Sequence, residues 1–252
     1  MKNIYIITGA SRGIGEAIAN ELIDKENHLV CCSRTKNNKL IDKAQAEGCQ
    51  LDYYELDFAD TSLVTSYFSQ VFHQLDWENA EYVALINNAG MLEPVARAED
   101  SDPHLMANHI TVNLTSLMLI SSEYIKAGEG FSVSKEILNI SSGAAYSPYP
   151  GWSSYCASKA GALMFSKVLA QEQQKAEHPV KIISLAPGVV ETTMQETIRS
   201  KTKEEFPNID KFISLKKENK LYTPDFVAKK ISQNILNNQD IGQGEEIDIR
   251  SF

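Results

Sequence analysis

Tyr155 and Lys159 stand four residues apart in Ser153-Ser154-Tyr155-Cys156-Ala157-Ser158-Lys159-Ala160, a stretch that predicts a helix starting near Ser153. On a helix this spacing puts both side chains on one face, one turn apart. A phenol titrates near about 10 and is a poor acid or base at neutral pH. A nearby ammonium favours the phenolate and draws that pKa toward a useful range. Ser142 lies across a Ser-Pro-Gly loop from the pair, just past the apolar strand Glu136 to Ile140. There its hydroxyl can hold a substrate oxygen beside the phenol. Taken alone, a Tyr and a Lys at this spacing also describe an ordinary helix surface. The rest of the chain decides between the two.

The chain also opens with a stretch that reads as a nucleotide site. Asn3 to Thr8 reads as a short apolar strand, followed by Gly9-Ala10-Ser11-Arg12-Gly13-Ile14-Gly15 and an amphipathic helix to about Lys25. A glycine-rich turn between strand and helix lets the backbone approach a diphosphate, which the helix N-terminus then holds. The spacing is G-x-x-x-G-x-G, and a plain tight turn could use it too; its place between the first strand and helix favours binding. A second strand, His28 to Ser33, runs into Ser33-Arg34. NAD-preferring folds place an acid near this point for the ribose 2′-hydroxyl. Here Thr35-Lys36-Asn37-Asn38-Lys39 follows, with no acid before Asp42. Arg34 with Ser33, and Arg12 in the glycine loop, suit a 2′-phosphate instead, because a guanidinium presents a charged, forked donor set. NADP(H) is the expected cofactor.

Leu51 to Leu56 reads as the third strand. Asp57 beyond it is either an acceptor for an adenine amine or the cap of a helix beginning near Thr61, and both roles are compatible. Tyr82 to Ile86 is the fourth strand and ends in Asn87-Asn88-Ala89-Gly90. Asparagines there can cross-link neighbouring loops, and Ala89 and Gly90 leave room for a cofactor. A long helix, about Pro103 to Lys126, carries Asn113 in its apolar body, where a satisfied core amide is the alternative to a functional one. After the Tyr155 helix, which runs to about Ala176, comes the strand Val180 to Ala186, ended by Pro187-Gly188. Residues 191–220 are charged and weakly patterned, interrupted by Phe206-Pro207 and Phe212. Their position suits a substrate lid, with a surface insertion as the alternative. Pro224 opens a last helix to about Leu236, and Glu245 to Ile249 reads as a closing strand. This alternation predicts one α/β domain over 1–252, a Rossmann fold with a doubly wound, mostly parallel sheet of about seven strands flanked by helices.

Composition narrows the class. At 252 residues, 43% hydrophobic and 23% charged, without linkers or repeats, the chain is long enough for one well-covered core. A net charge of −9 argues against a nucleic-acid surface. The opening apolar run is too short for a signal peptide, and no run is long enough for a membrane span, so the expected compartment is cytoplasmic. Cys31, Cys32, Cys49 and Cys156 lack metal-ligand spacing. Buried, reduced thiols and no metal site are expected.

Six motifs in this order resemble the short-chain dehydrogenase/reductases along nearly the whole chain: Thr8-Gly9-x-x-x-Gly13-x-Gly15, Asn87-Asn88-Ala89-Gly90, Asn113, Ser142, Tyr155-x-x-x-Lys159 and Pro187-Gly188-x-x-x-Thr192. The resemblance implies that Tyr155 is the proton donor in carbonyl reduction and that Ser142 orients the carbonyl. It implies that Lys159 lowers the phenol pKa and binds the nicotinamide ribose. By the same likeness Asn113 holds a water linking Lys159 to solvent, and Pro187, Gly188, Val190 and Thr192 meet the cofactor. Asn139-Ile140-Ser141-Ser142-Gly143, Gly151-Trp152 ahead of Tyr155, and Glu191-Thr192-Thr193-Met194-Gln195 are most similar to the sepiapterin reductase branch and its bacterial benzil reductases. That likeness implies reduction of one carbonyl of a bulky vicinal diketone to an (S)-hydroxyketone, with a pterin carbonyl as the alternative substrate. A non-catalytic NADP-binding regulator is a further alternative. Asp248 looks like the acid that anchors a pterin, or else merely ends a strand. Tyr149, Trp152 and Met194, close in sequence to the catalytic residues, are candidate pocket walls. A homodimer or homotetramer is implied as well.

Overall fold

A computed structural model describes residues 2–252. Seven strands form one sheet: β1 (Lys2–Thr8), β2 (Asn27–Ser33), β3 (Gln50–Glu55), β4 (Ala80–Asn87), β5 (Ser134–Ile140), β6 (Val180–Ala186) and β7 (Glu246–Asp248). They lie in the order β3-β2-β1-β4-β5-β6-β7, and every pairing is parallel. A parallel sheet covered on both faces needs strands apolar on both sides, which Ile4-Tyr5-Ile6-Ile7 supplies in β1. Tyr5 and Ile7 point toward α1 (Gly13–Glu21) and α9 (Pro224–Asn234), where they meet Ile18, Val227 and Ile231. Ile4 and Ile6 point the other way, toward α3 (Thr61–His73) and α5 (Ser116–Ala127), where they join Phe68, Phe72 and Tyr124. Each such fully buried side chain contributes about 1.5–3 kcal/mol through water exclusion. Adjacent Cys31 and Cys32 fall on opposite faces for the same reason and are free thiols.

The sheet reverses its winding between β1 and β4, which leaves a crevice beyond their carboxyl ends, the place where open α/β sheets bind ligands. The predicted single Rossmann domain of about seven strands is therefore the observed architecture.

Several elements depart from the sequence expectation. An unpredicted helix, α2 (Asn38–Ala46), joins β2 to β3, capped by the Asn37 side chain on Leu40 N at 3.1 Å. The first helix ends at Glu21 rather than near Lys25. The long helix expected over Pro103 to Lys126 is two helices, α4 (Pro103–Ile110) and α5, joined by a π turn over Thr111–Thr115 that contains Asn113. Helix α6 (Ser153–Gln173) carries Tyr155 and Lys159. Two helices, α7 (Thr193–Arg199) and α8 (Ile209–Lys217), occupy the stretch where periodicity showed nothing. Asp57 does not cap α3; Asp60 does, accepting from Leu63 N at 3.0 Å, while Asp57 turns back onto Ala59 N. Among the described residues no helix is long and apolar enough to cross a membrane.

Candidate active site

The crevice opens into one cavity of about 1660 Å³ lined by the ends of β1, β2, β4, β5 and β6 and by the loops that follow them. Gly9, Ser11, Arg12, Gly13 and Ile14 line one end, with Ser33, Arg34 and Asp57 beside them. Gly15 does not face the cavity. It lies behind, where an added Cβ would sit 2.3 Å from the Gly9 carbonyl oxygen and 2.4 Å from Asn88 Nδ2. Its bare Cα lets α1 press against the loop, so it shapes the site without lining it. Asn88 fastens this contact by donating from Nδ2 to the carbonyls of Thr8 and Gly9, at 3.0 and 3.2 Å. Thr8 Oγ1 in turn accepts from Asn88 N and Ala89 N, both at 3.0 Å. Deeper in the sheet Asn87 donates to Asn139, and Asn139 to Ser166, both at 2.8 Å. Amide cross-links therefore hold the first and fourth strand ends in one register.

This end is built for an anionic dinucleotide. Residue Arg12 at the head of α1 provides no side-chain cap, so the first-turn N–H groups of that helix are available to a phosphate. Arg12 and Arg34 are exposed at the cavity margin, and no carboxylate follows β2 before Asp42 in α2. Ser33 is buried, and its hydroxyl is shared with Tyr53 Oη at 2.6 Å and the Thr35 carbonyl at 2.8 Å. Of the pair at the end of β2, Arg34 is thus the group left free to reach a ligand. Ala89, Gly90, Pro187, Gly188, Val190 and Thr192 complete the walls.

At the middle of the cavity Tyr155, Lys159 and Ser142 come together. Ser142 begins a short turn after β5, with Ala144 N donating to its Oγ at 3.2 Å, and it lines the same cavity as Tyr155. Lys159 Nζ lies 5.9 Å from the centre of the Tyr155 ring and donates to the Ile140 carbonyl at 2.8 Å. The expected lowering of the phenol is not found in the protein alone: burial pushes Tyr155 above its usual value, and Ser142 only partly offsets this. Burial also pulls Lys159 down to about 8. Both groups lose water, and the ammonium spends a hydrogen on a carbonyl, so desolvation outweighs their attraction. At neutral pH the phenol holds its proton and Lys159 remains mostly charged.

Asn113 is brought near the pair but does not line the cavity. Its Oδ1 accepts from Met91 N at 2.8 Å, and its Nδ2 donates to the Met91 carbonyl at 2.8 Å and to His109 Nε2 at 2.9 Å. Both side-chain amide hydrogens are therefore spent on protein partners. Sequence reading passed over His109 altogether. It lies four residues before Asn113, on the same helical face, and that spacing was the available signal.

The far end of the cavity is aromatic. Trp152 stacks on Phe206 at 4.5 Å and 16°, stands edge-on to Tyr155 at 5.4 Å, and meets Tyr149 at 5.2 Å. Phe206, between α7 and α8, and Phe212, on α8, are buried in the same cluster. Tyr149, Trp152 and Met194 all line the cavity, as does Asp248. The Asp248 carboxylate is already engaged by the backbone N–H of Arg250 at 3.0 Å and by its guanidinium Nε at 2.8 Å. No cluster of metal-ligating side chains occurs among the described residues.

A family model described as short chain dehydrogenase matches residues 3–203. The chain is 39% identical to a benzil reductase, (S)-benzoin forming, from Bacillus cereus, over 97% of this chain and 98% of that protein. It is 30% identical to a sepiapterin reductase from Meriones unguiculatus, over 97% and 95% of the two chains. The solved structure of ElxO with NADP bound superposes with a TM-score of 0.78 at 25% identity, covering 98% of this chain and 96% of that one.

Proposed function

The chain belongs to the short-chain dehydrogenases, oxidoreductases acting between C=O and CH–OH groups, and we propose that it is an NADPH-dependent reductase of bulky vicinal diketones. The observation that carries the reading is the joint lining of one cavity by Tyr155, Lys159 and Ser142, with an aromatic wall at one end and an uncapped helix at the other. Likeness to benzil reductase supports the substrate class. Arg34 at the end of β2, and the NADP-bound relative, support the cofactor.

NADPH, when bound, supplies a hydride for the carbonyl carbon. Ser142 holds the substrate oxygen against the phenol, and Tyr155 gives that oxygen its proton. A phenol raised by burial keeps its proton until alkoxide charge develops, which suits a general acid. Lys159, charged at neutral pH, steadies the phenolate left behind. Apolar walls from Trp152 and Met194 exclude water, and much of the rate gain lies in placing carbonyl and phenol together. The prior claim of Arg250 on Asp248 favours a diketone over a pterin that would need that carboxylate.

The test is NADPH oxidation with benzil, sepiapterin and a small aliphatic ketone in parallel, on the native protein and on Tyr155→Phe. Benzil is expected to be preferred and to give one chiral hydroxyketone, and Tyr155→Phe to lose at least about a hundredfold in turnover while still binding NADPH. Preference for sepiapterin would move the reading to the pterin branch. Turnover that survives Tyr155→Phe would remove the mechanism.

A further inference from the structure

We infer that His109 is a positioning residue for the reactive pair, a neutral hydrogen-bond acceptor that locks the Asn113 carboxamide to the turn of α6 between Tyr155 and Lys159. The inference rests on the carbonyl-reductase reading, because it concerns how that pair is held. His109 is fully buried near the end of α4, immediately before the π turn. Its Nδ1 lies 2.7 Å from the Glu93 carbonyl. A carbonyl only accepts, so Nδ1 carries the proton and Nε2 is the acceptor. Asn113 Nδ2 meets that Nε2 at 2.9 Å, and Ser158 Oγ lies 3.1 Å away. The partners thus fix the tautomer. Asn113 cannot turn over to suit another arrangement, since Met91 N–H and carbonyl already dictate which end is oxygen.

Three segments that the chain separates are joined at this one ring: the loop after β4 through Glu93, the π turn through Asn113, and α6 through Ser158. Ser158 is the residue before Lys159, and its single hydroxyl hydrogen is shared between His109 Nε2 and the Tyr155 carbonyl, 3.0 Å away. The His109 ring stands edge-on to the Tyr155 ring at 5.9 Å and 80°. A filler residue of equal volume would occupy the space yet leave the Asn113 N–H without an acceptor in a site closed to water.

Protonation would have the same effect. A second N–H on the ring would point at the Asn113 N–H, donor against donor. Burial holds His109 below its ordinary value, and the Lys159 ammonium pushes the same way. The Glu93 carbonyl and, more weakly, its carboxylate push back. The other groups in contact, Asn113, Ser158 and the Tyr155 phenol, are uncharged at neutral pH. The neutral ring is therefore the working form.

The experiment compares native protein, His109→Gln and His109→Phe in benzil reduction with saturating NADPH, taking kcat and KM from neutral pH down through the acid range. Glutamine keeps an acceptor oxygen and a donor; phenylalanine keeps only the volume. His109→Phe is expected to lower kcat by roughly ten- to a hundredfold with KM and NADPH affinity nearly unchanged. His109→Gln should recover most of kcat and flatten the acid fall shown by the native enzyme, having no ring to protonate. Full kcat in His109→Phe overturns the inference, as does an acid fall identical in the native and Gln proteins. Should the Phe variant not fold, nitrogen NMR of the native histidines, assigned with His109→Gln, decides: an imidazolium or an Nε2-protonated ring at neutral pH refutes it. Tyr155→Phe run alongside separates the two failures, because loss of turnover there with no effect at His109 sinks only this inference.

Discussion

Replacing Gly151 by alanine asks whether residues 191–220 close the substrate end of the cavity. Gly151 has φ +89, and a Cβ built on it would lie 2.4 Å from the Glu205 carbonyl oxygen, where real Cβ atoms stay beyond 3.0 Å. The segment carrying Glu205 and Phe206 must then retreat by more than half an ångström, and alanine at 151 must also hold a left-handed backbone. That backbone costs a residue with a Cβ about 1–2 kcal/mol. Pulling Phe206 from the face of Trp152, now stacked at 4.5 Å, forfeits about 0.5–1.5 kcal/mol more. A total of about 1.5–3.5 kcal/mol corresponds to roughly 10- to 400-fold in affinity for a ligand that binds only the seated form. The assay is benzil KM in steady state beside calorimetric NADPH binding. The expected result is a KM raised by that order, with NADPH affinity within about twofold, since the glycine loop lies at the other end of the cavity. An unchanged KM in a folded variant, or equal weakening of both ligands, would refute the idea that α7 and α8 form the substrate wall.

Two further outcomes follow from the charged groups. Arg34→Ala should weaken NADPH by about tenfold or more, the worth of a charge-assisted hydrogen bond, and leave NADH nearly unaffected; titration with both cofactors checks this, and equal losses would remove the 2′-phosphate role. Glu136, 1% exposed on β5, is raised to about 7 from 4.5 by burial, with Lys181 only partly opposing. A carboxyl raised on folding contributes stability below its unfolded pKa that is lost as pH rises through the folded one. Glu136→Gln should therefore gain on the native protein by up to about 3 kcal/mol as pH rises from about 4.5 to beyond 7, read from urea unfolding at several pH values; parallel curves would count against it.

The strands and the shared face of Tyr155 and Lys159 were legible because they are written locally. Apolar runs bounded by Gly, Asn and Pro marked six of the seven strands to within two or three residues. The seventh was placed correctly but is only Glu246–Asp248. The four-residue spacing of Tyr155 and Lys159 marked their face before any contact was known. What was missed depends on distant partners. Helix α2 is short, with Leu40 and Ala44 its only buried residues. The π turn at Asn113 is paired with Met91, twenty-two residues back, and no local pattern announces it. Phe206 and Phe212 looked like interruptions in a charged loop because their partner, Trp152, lies on another segment. The capping role was set one turn early, at Asp57 instead of Asp60, since both acids precede α3 and only the backbone tells them apart.

The stack of Trp152 on Phe206, edge-on to Tyr155, also makes the molecule its own optical instrument. The chain has two tryptophans, and the other, Trp77, is buried against Tyr124 and Phe131 beside α3 and α5 and does not line the cavity. Tryptophan emits where a reduced nicotinamide absorbs. With Trp77 replaced by phenylalanine, the light emitted by Trp152 alone would register cofactor arrival as energy transfer and any displacement of Phe206 as a change in quenching, two events in one cuvette without a label attached.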